Sequence, residues 1–116
     1  TLIEAGIREA HEAIALLPDN VEILGEMPYH QTVTSFRVTP VVAKVRAEFQ
    51  TIAEPGEVAE VFRVPLDFLA DRRNYLVEGR FWGGQKRLYY TVPYGPYYIW
   101  GATARMLLGL QQRLIP

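Results

Sequence analysis

Glu9 and Glu12 stand three residues apart in REAHEAIALLP, residues 8–18, a stretch that reads as helix. Residues three and four apart are neighbours on a helix surface, about 5–6 Å between Cβ atoms. Two carboxylates held there repel each other, and a divalent cation between them offsets the repulsion. Oxygen-only donors suit Mg2+ or Mn2+, which keep several waters and take further oxygens from a substrate phosphate. Such an ion neutralises charge on a diphosphate and helps activate water. The same spacing on a plain surface helix gives two solvated glutamates, with Arg8 paired to Glu4 or Glu12. Position 13 lies one turn beyond Glu9 on the same face, where a third carboxylate would complete a stronger cradle. It is alanine.

The elements that must position these residues follow from patterning. Thr1 and Glu4 have capping-box spacing, so a helix is expected to begin at Thr1. Leu2, Ile3, Ile7, Ala10, Ile14 and Leu17 share one face of it, with Glu4, Arg8 and His11 opposite. Glu9 and Glu12 flank the apolar stripe, and Pro18-Asp19-Asn20 is expected to stop the helix. A short strand is expected over Val21–Leu24, broken at Gly25, then a loop through PYHQTVTS. FRVTPVVAKV reads as a strand in which Pro40 marks an edge or a bulge. AEPGE is a turn. A short strand around Val61–Val64 and a brief helix from Pro65 are expected next.

VEGRFWGGQKRLYYTV is a hairpin signal, because Gly83-Gly84 supplies the positive φ angles of a tight turn. PYGPYYIWG reads as an aromatic loop. ATARMLLGLQQRLI reads as a closing amphipathic helix through Ile115, with Thr103, Leu107, Leu110 and Leu114 on one side. The order helix, strands, helix predicts an α+β chain. No internal repeat or low-complexity segment is present.

Bulk properties narrow the partners. At 116 residues, the chain is expected to be one domain, 1–116, with enough apolar content for a core. Twelve basic and thirteen acidic residues leave it near neutral, which argues against a nucleic-acid backbone as main partner. There is no cysteine, so disulfides, zinc–thiolate sites and thiol nucleophiles are excluded, which fits a reducing cytoplasm. No apolar run is long enough to cross a bilayer, so no membrane partner is expected. The chain opens at Thr1 without an initiator Met, inside a helical pattern, as the C-terminal portion of a longer protein would.

REAHEAIAL resembles the second half of the Nudix box, R-E-U-x-E-E-x-G-U, where U is apolar. Arg8, Glu9, Ala10, Glu12 and Leu16 match it. Ala15 stands where the box has Gly, and Ala13 where it has the second Glu of the pair. The first half of the box would lie before Thr1. VEILGEMPYHQTVTSFRVTPVVAKV, EVAEVFRVPLDFL and YGPYYIWGATARML resemble the coenzyme A pyrophosphatase branch of the Nudix hydrolases. The combination covers most of the chain.

The resemblance implies an α/β/α sandwich with a mixed sheet, a Mg2+ or Mn2+ cofactor, and hydrolysis of a nucleoside diphosphate-linked small molecule. Coenzyme A or a derivative is the implied substrate. Glu9 and Glu12 match metal-binding glutamates. Glu57 matches a loop glutamate that in some Nudix enzymes binds metal or acts as base. Arg8 matches an arginine that orients a glutamate by a salt bridge. Ala13 marks a lost ligand, which predicts impaired catalysis. The alternative is a catalytically silent module that binds a nucleotide or a protein. A Nudix sheet takes strands from before the box, so exposed edges and association, such as a homodimer, are expected of the chain alone. His30 and the aromatic cluster Tyr89, Tyr90, Tyr94, Tyr97, Tyr98 and Trp100 read as an exposed histidine and half-buried packing, with phosphate contact and adenine stacking as their functional counterparts.

Overall fold

The fold was analysed in a computed structural model that describes residues 1–32 and 34–114. In chain order the elements are α1 (Leu2–Ile14), β1 (Val21–Glu26), β2 (His30–Gln31), β3 (Arg37–Val38), β4 (Val41–Val45), α2 (Leu66–Ala70), β5 (Leu76–Trp82), β6 (Gln85–Tyr94), β7 (Tyr97–Trp100) and α3 (Gly101–Leu114). The α+β expectation is met. Val33 of the predicted loop and Ile115 of the predicted last helix lie outside the described residues. The chain forms two compact units, residues 1–29 with 37–63, and residues 30–36 with 64–116.

In the first unit, α1 ends at Ile14 rather than at Pro18, because Ala15 turns into the left-handed region at φ 65°. Residues 18–20 form a separate 3₁₀ turn. Gly25 does not break β1. The strand runs on to Glu26 and pairs antiparallel with β4, with a register shift between Ile23 and Gly25 that absorbs one residue as a bulge. Pro40 interrupts the predicted continuous strand, separating β3 from β4, and its carbonyl accepts from Met27 N–H at 2.9 Å. Asn20 fixes the far end of this ribbon. Its side chain donates to the carbonyl of Ala47 and accepts from the amide of Ala47, both at 2.8 Å.

The predicted strand at Val61–Val64 does not form; residues 61–64 are irregular. The helix after Pro65 is present as α2.

In the second unit, β5 and β6 pair antiparallel from Leu76↔Thr91 to Trp82↔Gln85. Gly83 and Gly84 take φ 61° and 76°, the two positive values of a type I′ turn. The predicted aromatic loop is instead a second hairpin: β7 pairs with β6 from Thr91↔Trp100 to Tyr94↔Tyr97. Gly95 at φ 56° followed by Pro96 makes the link. The pairings β1–β4 and β5–β6–β7 are antiparallel.

The core of this unit is Tyr75, Val92, Ala104 and Leu108, with Phe68, Leu69, Tyr90, Ile99 and Leu107 packed around it. The buried residues of α3 are Ala104, Leu108 and Gln111, so its inward face is turned from the Thr103–Leu107–Leu110–Leu114 stripe of the sequence reading. The Tyr75 hydroxyl, lodged in that core, donates to the carbonyls of Leu69 (2.7 Å) and Leu107 (3.3 Å), so one side chain ties α2 to α3. Burial pushes its pKa up. The Gln111 amide donates to the Ala70 carbonyl at 3.2 Å and reinforces the same junction.

Candidate acidic helix and its supporting turn

The N-terminus of α1 is built as the capping box predicts. Thr1 Oγ1 accepts from the Glu4 amide at 3.0 Å, and the Glu4 carboxylate comes within 3.8 Å of the terminal ammonium. At the other end, Ala15 N–H reaches back to the His11 carbonyl at 3.0 Å and Leu16 N–H to that of Ala10 at 3.4 Å. This is a helix end that turns through a left-handed residue, where glycine is the usual occupant. Ala15 is also the position at which the box has Gly. The box glycine thus has a backbone reason here, since a Cβ at positive φ is strained.

Glu9 and Glu12 both lie on α1 with exposed side chains. Arg8 Nε stands 4.0 Å from Glu12 Oε1, with the two side chains 67% and 56% exposed. An ion pair that open orients a side chain but adds little stability. Ala13 is half-buried at the last turn.

Helices leave their final carbonyls without internal partners. Here the segment that leads into and begins the predicted AEPGE turn supplies them: Ile52 N–H donates to the Ile14 carbonyl at 3.1 Å and Glu54 N–H to the Ala13 carbonyl at 2.9 Å. The chain then turns at once. The amides of Glu57 and Val58 both donate to the Glu54 carbonyl, at 3.2 and 3.0 Å, with Gly56 at φ 85°. Glu57 is exposed on this turn. The three glutamates singled out in the sequence therefore sit on a helix and on a turn hydrogen-bonded to that helix's last carbonyls. The turn was legible as Pro-Gly; its anchorage on residue 13 was not, because no side-chain pattern records which carbonyl a loop amide meets.

The donor set falls short of a resident ion. Two carboxylates, the Ala13 methyl and a separate turn glutamate do not converge, and among the described residues no group of three or more His, Cys, Asp or Glu could hold a metal. A tightly held Mg2+ or Mn2+ does not fit the residues present.

The remaining candidates lie in the second unit. His30 is half-buried rather than exposed; burial, and then the charge of Arg105, lower its pKa. The aromatic cluster divides by ladder register. Tyr89, Tyr98 and Trp100 fall on one face and Tyr90, Tyr94 and Tyr97 on the other. Tyr89 and Trp100 meet edge-on, ring centroids 5.9 Å apart. The hydroxyls of Tyr98 and Tyr89 both donate to the Glu78 carboxylate, and that bond pushes the Tyr98 pKa up. Phe68 packs edge-on against Tyr94 at 4.9 Å.

No protein-family model matches the chain. Curated relatives do. A protein of Enterobacter sp. named "Uncharacterized Nudix hydrolase NudL" is 38% identical over all of this chain and 62% of its own length. Proteins of the same name from Pectobacterium atrosepticum and Citrobacter koseri are each 35% identical over 92% of this chain and 56% of their length. The chain thus spans little more than half the length of the relatives it matches.

Proposed function

Since this chain belongs to the Nudix superfamily, we propose that the protein to which it contributes is a Nudix-type hydrolase of a nucleoside diphosphate-linked small molecule, its turnover held down at position 13. Coenzyme A or a derivative is the substrate favoured by the strings FRVTPVV, EVAEVFRVPL and IWGATA. The observation that carries the reading is the docking of the Glu54–Val58 turn on the carbonyls of Ala13 and Ile14. It anchors the turn that bears Glu57 to the end of the helix that carries Glu9 and Glu12.

In this reading Glu9 and Glu12 are the surviving oxygen donors for Mg2+ or Mn2+, and Arg8 orients Glu12. With Ala13 in place that ion has no complete cradle. The chain's own contribution is to hold Glu57 on a fixed turn beside the helix. Losing a directly ligating carboxylate weakens metal binding at least as much as an outer-shell defect, about 10–100-fold.

A second reading, a silent module that binds a nucleotide or a protein, is favoured by one observation: the absence of a third donor at position 13. Restoring it separates the two. Ala13→Glu in the full-length protein should raise Mg2+- or Mn2+-dependent release of adenosine bisphosphate from coenzyme A. Binding without any gain in turnover would favour the silent module.

A further inference from the structure

β5 is an outer strand. The sheet order is β5–β6–β7, and among the described residues no strand pairs with the far side of β5. A two-residue turn makes the residues that flank it, Trp82 and Gln85, a hydrogen-bonded pair, and such pairs alternate along an antiparallel ladder. Leu76, Glu78, Arg80 and Trp82 thus direct their amides and carbonyls to β6. Those of Val77, Gly79 and Phe81 point outward, with no backbone partner among the described residues. The strand contains no proline, and its large apolar side chains, Leu76, Val77, Phe81 and Trp82, are 45%, 55%, 79% and 55% exposed. An edge of this kind is a template for another strand.

The order of residues selects which strand. LVEGRFW, residues 76–82, is self-complementary about Gly79. Laid antiparallel on a second copy with Gly79 on the two-fold axis, Val77 meets the partner's Phe81, Leu76 the partner's Trp82, and Glu78 the partner's Arg80. The outward backbone groups of residues 77, 79 and 81 then bond to one another. Glu78 and the partner's Arg80 form a non-hydrogen-bonded pair, the kind whose side chains lie closer. Moving the axis to Glu78 or to Arg80 sets like charges opposite each other and shortens the ladder. Within one chain Arg80 stands across from Arg87, and neither Arg80 nor Glu78 joins an ion pair among the described residues. A second copy supplies each of them with its opposite charge.

We propose that β5 pairs with β5 of a second copy of this chain about a two-fold axis at Gly79, joining two three-stranded sheets into one of six strands. The interface is isologous, so each favourable pair occurs twice. It shields the four apolar side chains at the edge and satisfies the outward backbone groups. The interface uses neither Glu9 nor Glu12 and stands whether or not the hydrolase reading does.

Sedimentation equilibrium of the chain should show monomer and dimer in exchange. Arg80→Glu makes both charged positions of the strand acidic and should weaken the dimer at least about tenfold, since symmetry turns two attractions into two repulsions. Glu78→Lys makes both basic and should do the same, and a mixture of the two variants should recover a dimer. Glu78→Lys also removes the acceptor of the Tyr98 and Tyr89 hydroxyls, so a cysteine variant tests the register independently. The chain has no cysteine of its own. Gly79→Cys places a thiol on the axis, and the flexible end of Lys86, 2.7 Å from the new Cβ, swings aside. The Cα atoms of a hydrogen-bonded pair lie about 5.5 Å apart, within disulfide reach, so mild oxidation should link Gly79→Cys to its copy. Leu88→Cys, at a site 70% exposed but one strand further in, should stay unlinked. A monomeric chain, charge reversals without effect on association, a mixture of folded variants that stays monomeric, or equal linking at position 88 overturns the proposal.

Discussion

The backbone amide of Glu54 donates to the carbonyl of Ala13 at 2.9 Å, and that one bond fastens a glutamate-bearing turn to the last turn of the acidic helix. With the neighbouring bond from Ile52 to Ile14 it satisfies two carbonyls that a helix end leaves open. The side chain at position 13 and the loop that docks there are therefore coupled through the backbone, which a substitution at position 13 leaves in place.

That coupling predicts an exchange pattern. The amides of Ile52 and Glu54 should exchange with solvent together with the C-terminal half of α1, more slowly than the neighbouring amides of Gln50 and Gly56. Hydrogen exchange read residue by residue checks it. Exchange of Ile52 and Glu54 at the rate of an open loop would show that the turn is not docked.

Ala15 holds φ 65° at the end of α1. An L-residue there costs about 1–2 kcal/mol, from which glycine's extra freedom in the unfolded chain subtracts part. Ala15→Gly should stabilise the chain by about 1 kcal/mol, raising the melting temperature by about 4–8 °C. A fall in melting temperature would contradict the backbone explanation of the box glycine.

Thr91 is fully buried, and its hydroxyl has no hydrogen-bond partner among the described residues. Replacing an unsatisfied buried hydroxyl by a methyl of the same shape removes a desolvation penalty of about 1–3 kcal/mol without opening a cavity. Thr91→Val should be neutral to stabilising in urea denaturation. Destabilisation by more than about 1 kcal/mol would reveal a bond to that hydroxyl in solution.

Asp71 caps the turn at Arg72–Asn74, accepting from the Arg73 amide at 3.0 Å and pairing with the Arg73 guanidinium at 2.8 Å. The Arg73 hydrogen bonds hold its pKa down at about 2. A carboxylate lowered in this way binds fewer protons folded than unfolded. Its stabilisation is present above the ordinary carboxylate pKa and is lost as pH falls from about 4 towards 2. Asp71→Asn should lower the urea midpoint at neutral pH, and the gap from the parent should close across that acid window. A gap of constant size down to the acid end would count against it.

What the sequence could disclose was local. Thr1 with Glu4, Gly83 with Gly84, and Pro55-Gly56 carry their geometry in their own side chains, and each forms as read. Gly95-Pro96 carries the same kind of signal, but the run of tyrosines around it masked the second hairpin. Val61–Val64 has strand-like residues yet no ladder, because strand propensity acts only where a partner edge is available. The inward face of α3 was misplaced because Ala104 and Gln111 are poor hydrophobic markers. Ala104 is buried in the cluster with Tyr75, Val92 and Leu108, and Gln111 is buried with its amide donating to the Ala70 carbonyl. At the candidate site the box residues were legible. The docking of residues 52–58 on the helix end was not, since it runs through backbone atoms alone.

Position 13 is proposed as the gap in a divalent-cation site formed with Glu9 and Glu12. Calorimetric titration of Mn2+ into the parent chain and into Ala13→Glu measures it directly. The variant should bind Mn2+ at least about tenfold tighter, and the gain should be abolished when Glu9→Gln is added. Equal affinities of parent and variant, or tight binding that survives Glu9→Gln, would contradict it.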